Sequence, residues 1–227
     1  MSRSLALSSA RAAAALAGLF IACASAALDR GEFQGGLYTA PGELFTVQSP
    51  LGPNPLVIDS FDRAAGAVTF VDEQGALYGV ICTPSYDVLA GAHNDAETDL
   101  AILRNWFQDA TFPLFFESQL PGAAVLNEGP GTFDGQSAWF GLIHLPQGSA
   151  RFTRDAESGL PMRADSYRGL VVFSRGDLTF LIMTEVEPSP EWNAFLPQLS
   201  AFYRGMAFTA PITFPYERQV AAIHWPR

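Results

Sequence analysis

The densest group of side chains that could bind a metal ion falls within one short segment of the sequence. His93, Asp95, Glu97 and Asp99 place carboxylates at alternating positions, as the first half of a calcium loop does. An EF-hand loop also needs a central glycine and a bidentate acid at its twelfth position, and the twelfth residue counted from Asp95 is Trp106. Acids at a helix start also cap the helix and stabilise its dipole. We therefore expect this acidic cluster to serve a helix terminus without a metal, and its four members are the candidate metal ligands.

A cysteine and a histidine could form a nucleophile and its base. A thiol hydrolase needs a thiolate, a base and a group that orients the base, and Cys82 with His93 supplies the first two. Cys82 follows the apolar run 77–81, however, and a cysteine at a strand end most often behaves as a small buried hydrophobic residue. We expect a buried thiol. A periplasmic hydrolase that uses Cys82 with His93, or the acidic cluster, is kept as the alternative function.

Other residue types found in active sites lack the context that catalysis requires. The sequence around Ser137, Gly-Gln-Ser-Ala-Trp at 135–139, differs at one position from the nucleophile-elbow pattern G-x-S-x-G. The motif also needs a strand, a turn and then a helix, and here a strand follows the serine. His144 shares a predicted strand face with apolar residues, which favours a half-buried histidine with its hydrogen bonds satisfied. Glu185 and Glu187 share one side of a strand, as sugar-facing carboxylates do, but a hairpin end favours solvation. The catalytic residues remain unknown.

Composition removes several classes of function. All 13 basic residues are arginine, so chemistry that depends on lysine is excluded, including Schiff-base and pyridoxal catalysis and the phosphate-binding loop of nucleotide hydrolases. The 23 acidic residues give a net charge of −10, and no dense basic patch offsets it. Nucleic-acid binding needs such a patch. We expect no nucleic-acid partner and no cofactor.

The N-terminal 26 residues have the layout of a secretory signal peptide. Arg3 and Arg11 precede the uncharged run 12–22, and small residues follow it. The run is shorter than the ~20 apolar residues that span a bilayer as a helix. Ala24-Ser25-Ala26 is an ordinary cleavage site, which would release a soluble chain that begins at Ala27. We expect a periplasmic or secreted protein.

A second interpretation of the same segment makes Cys23 a lipid anchor. Phe20-Ile21-Ala22-Cys23 resembles the bacterial lipobox, in which the cysteine is diacylated and tethers the protein to a membrane. The leader would then comprise residues 1–22, and the protein would be a membrane-anchored lipoprotein with no other membrane contact. Either cleavage leaves Cys82 as the single thiol of the folded domain, so a disulfide within that domain is excluded.

Clusters of glycine and proline divide the chain into short apolar runs, which indicates a sheet-rich fold. The predicted strands are 44–47, a hairpin of 67–71 and 76–81, a pair of 123–126 and 137–145 around a turn at 128–131, a hairpin of 170–173 and 178–183, and a closing strand 206–208.

Two segments have helical spacing. Leu100, Leu103 and Phe107 recur at intervals of three and four, which predicts a helix over 95–110. Ser189-Pro190-Glu191 has the pattern of a helix start, and apolar residues follow at helical spacing up to Tyr203. Pro197 lies inside this second segment, and it either kinks the helix or moves its start to a later residue.

The order of these elements predicts a single α+β domain over residues 37–209, with an antiparallel sheet packed against two main helices. Residues 210–227 form a C-terminal tail. Tyr216, the run 220–223 and Trp225 keep enough apolar surface to dock. We expect residues 212–227 to pack back on the domain as an extended or strand-like segment, with a partner protein as the alternative docking surface.

Four short segments resemble the PsbP/DcrB-like group. They are Leu-Phe-Thr-Val-Gln-Ser-Pro at 44–50, Gly-Gln-Ser-Ala at 135–138, Arg-Gly-Asp at 175–177 and Leu-Ser-Ala-Phe at 199–202. The likeness covers about residues 37–209 and rests on element order and short apolar patterns. It implies a PsbP/DcrB-like α+β fold. The group includes periplasmic lipoproteins and lumenal photosystem subunits that mostly act as binding or accessory proteins. The resemblance therefore implies an exported, non-enzymatic module of the bacterial envelope, whose partner is an envelope protein or a small molecule.

Overall fold

The computed structural model of the protein describes residues 29–62, 65–85, 96–175, 178–185 and 189–208. Seven antiparallel strands form the main sheet, in the spatial order β4-β5-β6-β12-β11-β8-β7. Their bounds are β4 Leu56–Asp62, β5 Ala65–Val71, β6 Leu77–Pro84, β7 Ala124–Phe133, β8 Gln136–Leu145, β11 Ser166–Arg175 and β12 Leu178–Glu185. The predicted pairings of β5 with β6 and of β11 with β12 are confirmed.

A second, four-stranded sheet lies across one face of the main sheet. It has the order β1-β2-β3-β13, with β1 Glu32–Gln34, β2 Leu37–Thr39, β3 Phe45–Gln48 and β13 Met206–Phe208. β13 pairs with β3, so the last described residues return to the first part of the chain. β1 pairs with β2, with Glu32 opposite Thr39, Phe33 opposite Tyr38 and Gln34 opposite Leu37. A separate hairpin of β9 Phe152–Arg154 and β10 Pro161–Arg163 completes the strands.

Helices cover both faces of the main sheet. Helix α1 Ala96–Asn105 continues through two wider π-helical turns, Trp106–Thr111 and Pro113–Glu117, so the helical segment is longer than predicted. Leu103, Phe107 and Phe116 are buried along it against the main sheet. This extended segment forms one outer layer of the domain.

Helix α2, Leu196–Arg204, lies on the opposite side with the small sheet. Pro197 stands in its first turn, where the missing N–H has no helical partner to lose. The later of the two predicted starts is therefore correct. A short 3₁₀ turn, Trp192–Ala194, precedes the helix.

Two apolar cores lie on the two faces of the main sheet. Along β12, Phe180 and Ile182 face the small sheet and α2, whereas Leu181 and Met183 face α1. This alternation is the period of two that a strand imposes, and β12 is buried at every residue because both faces are covered. The predicted α+β class with an antiparallel sheet and two helices is confirmed.

The predicted turn at 128–131 is wrong. β7 continues through these residues to Phe133, and the turn to β8 lies at Asp134 and Gly135. Gly129, Pro130 and Gly131 are tolerated because β7 is an edge strand, in which a missing N–H and weak side-chain packing cost little. A bulge between Val125 and Asn127 further interrupts the pairing.

Candidate functional site

A groove of about 200 Å³ lies along the edge strand β7, on the face of the sheet that carries α2. Its lining comes from β7, from β8 and from the 3₁₀ turn: Asn127, Glu128, Gly129, Pro130, Phe140, Gly141 and Trp192. Phe140 and Trp192 form an aromatic wall, with their ring centroids 5.6 Å apart and their planes at 76°. The edge-to-face arrangement leaves faces of both rings available for another apolar group.

The groove exists because of where two glycines stand on β7. A Cβ atom at Gly129 would meet no atom within 4 Å, whereas a Cβ at Gly131 would lie 2.5 Å from the Phe140 ring. The ring of Phe140 thus leans over Gly131 and leaves the space above Gly129 empty. Glycine inside a strand often marks a place where another chain or a ligand approaches closely.

A close contact between Phe195 and the main sheet holds Trp192 over the groove. The N–H of Phe195 donates to the carbonyl of Trp192 over 3.0 Å, which closes the 3₁₀ turn. Phe195 is buried directly above Gly169, and a Cβ at Gly169 would lie 2.3 Å from the Cβ of Phe195. Only glycine lets the turn approach β11 this closely. Gly169 therefore fixes how far Trp192 lies from the sheet, and so the position at which it contacts Phe140.

On the other face of β7, a carboxylate ties the edge strand to the helical layer. Glu128 accepts a hydrogen bond from the amide of Gln108 and another from the indole Nε1–H of Trp139 at 3.1 Å. Both donors lie on the side of α1 and its π turns. The Glu128 carboxylate is therefore engaged away from the groove, and the groove itself presents aromatic rings, bare backbone and the side chain of Asn127.

The size and lining of the groove determine what it can bind. Small-molecule sites usually enclose 300–1,000 Å³, and this groove is smaller and open along the strand. Its volume suits a single apolar or aromatic side chain with the backbone of an extended segment beside it. An edge strand also offers unpaired backbone groups to such a segment. The geometry therefore favours a peptide or a protein loop over a free small molecule.

Cys82 is buried in the core between the two sheets, as predicted, with 1% of its surface exposed. It lies on β6 opposite Phe180 of β12. Burial raises the pKa of the thiol to about 12, and a hydrogen bond with the backbone of Gly66 lowers it only in part. Because the thiolate is the nucleophile, the thiol at this position is not suited to the hydrolase that we kept as the alternative.

The acidic cluster is described only in part. His93 and Asp95 lie outside the described residues, as does the side chain of Glu97, and Asp99 is half-buried in α1. Within the described ranges, no group of three or more potential ligands is placed to hold a metal ion. Cys23, Glu187 and the tail also lie outside these ranges, so the predictions that concern them stay predictions.

His144 has the half-buried, hydrogen-bonded environment that the sequence predicts. Its Nε2 lies 3.1 Å from Oδ2 of Asp165, and its ring stacks on Tyr167 with centroids 4.9 Å apart. The N–H of Gln147 donates to the other oxygen of Asp165. That hydrogen bond, followed by the one to His144, lowers the pKa of Asp165. The arrangement holds the loop after β8 in place.

The prediction that Glu185 is solvated is wrong. Its carboxylate is 1% exposed and accepts hydrogen bonds from the hydroxyls of Ser149 and Ser166, both at 2.5 Å, and from Nε of Arg168 at 3.3 Å. Arg168 is 2% exposed and also donates to the carbonyl of Gly148. β12 lies in the middle of the sheet, and β11 places Arg168 beside it. The buried pair anchors the loop at 148–149 to the sheet.

The groove residues were not predicted from the sequence. Trp192 lies just before α2, where it is half-buried and forms a wall of the groove. The signal that could have found the site is the sequence Gly129-Pro130-Gly131 within an otherwise strand-like run, because this combination is tolerated mainly at sheet edges. In the described part of the chain, none of the helices has the length and apolar character needed to cross a bilayer.

These observations define the class of the protein: an α+β domain whose antiparallel sheet carries an apolar groove at one edge. No protein-family model matches the sequence, and no curated protein matches it. The structure is similar to the solution structure of cyanobacterial PsbP (CyanoP) from Synechocystis sp. PCC 6803, with a TM-score of 0.42 and 12% identity over 83% of this chain and 98% of that chain.

A crystal structure from Bacteroides thetaiotaomicron VPI-5482 is also similar, with a TM-score of 0.37 and 9% identity. The match covers 78% of this chain and 49% of that chain. The resemblance stated from the sequence and this structural similarity name the same group. Neither similarity carries a functional residue over to this protein.

Proposed function

We propose that this protein is an exported, non-enzymatic binding module of the bacterial envelope, which receives one apolar side chain of a partner protein in the groove at β7. The observation that carries the proposal is the empty space above Gly129, beside the wall formed by Phe140 and Trp192. A side chain that filled it would be desolvated against two aromatic rings, which is the environment of an interface hot spot.

The identity of the lining also supports binding in preference to catalysis at this place. The groove offers ring faces, an amide and backbone, and the nearby Glu128 carboxylate is engaged by Gln108 and Trp139 on the opposite face. Polar groups that only accept or donate hydrogen bonds orient a bound chain. Under this proposal the partner is an envelope protein with an extended segment that carries an exposed aromatic or aliphatic residue.

Export is supported by the N-terminal sequence alone. The intact mass of the protein purified from its native host tests this part of the proposal. A chain that begins at Ala27 would indicate a soluble periplasmic or secreted protein, and a chain that begins at Cys23 with added lipid would indicate a lipoprotein. Retention of Met1 and the whole leader would overturn export.

Partner binding at the groove is tested by site-specific photo-cross-linking. A photoreactive amino acid replaces Asn127, which is exposed at the groove, or Leu114, which is 64% exposed on the opposite layer of the domain. We expect a defined set of envelope proteins to be captured from position 127 and not from position 114.

The matched variant for this experiment is Gly129→Arg. It fills the groove, and the fold should tolerate it because a Cβ at this position meets no atom within 4 Å. We expect capture from position 127 to fall at least tenfold, while the circular dichroism spectrum stays the same. Equal capture from positions 127 and 114, or capture that Gly129→Arg leaves unchanged, would overturn the proposal.

A further inference from the structure

The groove at β7 lies within reach of the chain that follows the last described strand. Phe208 ends β13, and its ring lies 5.8 Å from that of Tyr203, which lies 4.8 Å from Phe133. The ring centroid of Phe133 lies 6.2 Å from that of Phe140, and the ring centroid of Phe140 lies 5.6 Å from that of Trp192. These steps place Trp192 no more than about 22 Å from Phe208, a distance that six or seven extended residues span at about 3.3 Å each.

The chain also leaves β13 at the correct end of β7. The guanidinium of Arg175 lies 5.5 Å from the ring centre of Phe208, and its Nη1 lies 3.8 Å from Oδ2 of Asp134. Asp134 stands in the turn that follows Phe133, at the end of β7. A segment that continued from this point towards Gly129 would run antiparallel to β7. The outer side of β7 has no neighbouring strand within the described sheet, since β7 ends the strand order.

The residues that follow Phe208 have the pattern of such a segment. In the sequence Thr-Ala-Pro-Ile-Thr-Phe-Pro-Tyr-Glu at 209–217, Ile212, Phe214 and Tyr216 occupy alternate positions. They would share one face of an extended chain. The two prolines of the segment are compatible with a strand at the edge of a sheet. Phe214 is the sixth residue after Phe208, about 20 Å of extended chain away.

We propose that residues 209–217 lie antiparallel along β7 and that Phe214 fills the groove above Gly129. The Phe214 ring packs there against Phe140 and Trp192, which offer the ring faces that aromatic side chains prefer. A short connection to β13 keeps the effective concentration of the segment near the millimolar range, so that one buried ring suffices for docking.

The tail is then the resident occupant of the groove, and a partner protein must displace it. This inference rests on the proposed function only in that both use the same groove. It adds a regulatory element, because a partner can bind only those molecules whose groove is free. The apparent affinity for the partner is therefore the intrinsic affinity multiplied by the fraction of molecules with a free groove.

The test is the rate at which an intrachain disulfide forms in the otherwise complete mature chain. If Phe214 lies opposite Gly129, then Tyr216 lies opposite Asn127, within the Cα separation of roughly 4.4–6.8 Å that a disulfide requires. The test pair is Asn127→Cys with Tyr216→Cys, and the control pair is Leu114→Cys with Tyr216→Cys. Both pairs retain Phe214 and Gly129. The native Cys82 is buried and does not compete.

We expect the bridge between positions 127 and 216 to form at least ten times faster than the control bridge. Phe214→Ala, which leaves the described domain untouched, and Gly129→Arg, which fills the groove, should each slow the bridge at least tenfold. Equal rates for the two pairs, or a rate that neither variant changes, would overturn the inference. So would a bridge that links two molecules and forms faster at higher protein concentration, because a second copy would then occupy the groove.

Failure of this inference is distinguishable from failure of the proposed function. We expect Phe214→Ala to increase photo-capture of the partner from position 127, because the competing ring is removed. Capture from position 127 with no intrachain bridge would overturn the docked tail and leave the proposed function standing. A bridge without any capture would support the docked tail and overturn the proposed function.

Discussion

Replacement of Arg168 by methionine should destabilise the domain strongly, because it removes one partner of a buried ion pair. Arg168 and Glu185 are 2% and 1% exposed, and Nε of Arg168 lies 3.3 Å from the Glu185 carboxylate. Loss of one partner of a buried pair costs about 3–5 kcal/mol, since the other charge stays buried without its counter-ion. The hydroxyls of Ser149 and Ser166 still donate to Glu185, which places the expected cost near the lower limit, at about 3 kcal/mol.

Urea denaturation followed by circular dichroism measures this cost. With a slope of about 1–3 kcal/mol per molar, a loss of about 3 kcal/mol lowers the midpoint by about 1–3 M. The melting temperature should fall by about 6–12 °C for a domain of this size. The matched control is Arg204→Met, because Arg204 is exposed at the end of α2. The control should stay within about 0.5 kcal/mol of the wild type.

A double variant separates the buried charge from the loss of packing. Arg168→Met combined with Glu185→Leu removes both charges and should recover part of the lost stability. Apolar replacement of a whole buried pair is often neutral, but here it leaves the hydroxyls of Ser149 and Ser166 without their acceptor. An Arg168→Met protein that unfolds at the wild-type urea concentration would refute the reasoning. A double variant that is less stable than Arg168→Met by the full cost of a second buried defect would also refute it.

Four further predictions concern the glycines of β7, the reactivity of Cys82, its effect on stability at high pH, and metal binding. Gly131→Val should lower the melting temperature by several degrees because its side chain would meet the Phe140 ring, whereas Gly129→Val should leave it nearly unchanged. Reaction of Cys82 with a thiol reagent should be at least a hundredfold slower in native buffer than in denaturant. Because burial raises the Cys82 pKa from 9.0 to about 12, the unfolded state loses this proton first as pH rises, and the free energy of unfolding should decline above about pH 9, by less in Cys82→Ala. Chelator should not change the melting temperature, and a fall of several degrees would restore the acidic cluster as a metal site.

Local patterns predicted the elements whose formation depends on neighbours in the sequence. The hairpin of β11 and β12 follows from two apolar runs around a short polar turn, and the first helix follows from its spacing of three and four. Pro197 is a case in which the sequence left two outcomes open. The structure selects the first turn of α2 for it, because Phe195 must reach Gly169 before the helix begins.

The edge of the main sheet was not predictable in the same way. Glycine and proline are favoured in turns, so the run Gly129-Pro130-Gly131 considered alone predicts a turn, and we placed one there. It is a strand because β8 pairs with it on one side and no strand of the described sheet lies on the other. An edge position relaxes the requirements on backbone hydrogen bonds, and strand order is a property of the whole sheet.

The sequence by itself determined the exclusion of lysine chemistry, the buried thiol at Cys82 and the α+β class, because each depends on composition or on short-range periodicity. Only the tertiary structure decided that Glu185 is buried beside Arg168, since that contact needs β11 and β12 side by side in one register. It also decided that the space above Gly129 is open while Phe140 covers Gly131. Whether a glycine lies beneath a ring or beneath an empty groove depends on side chains distant in sequence, and no local pattern encodes that placement.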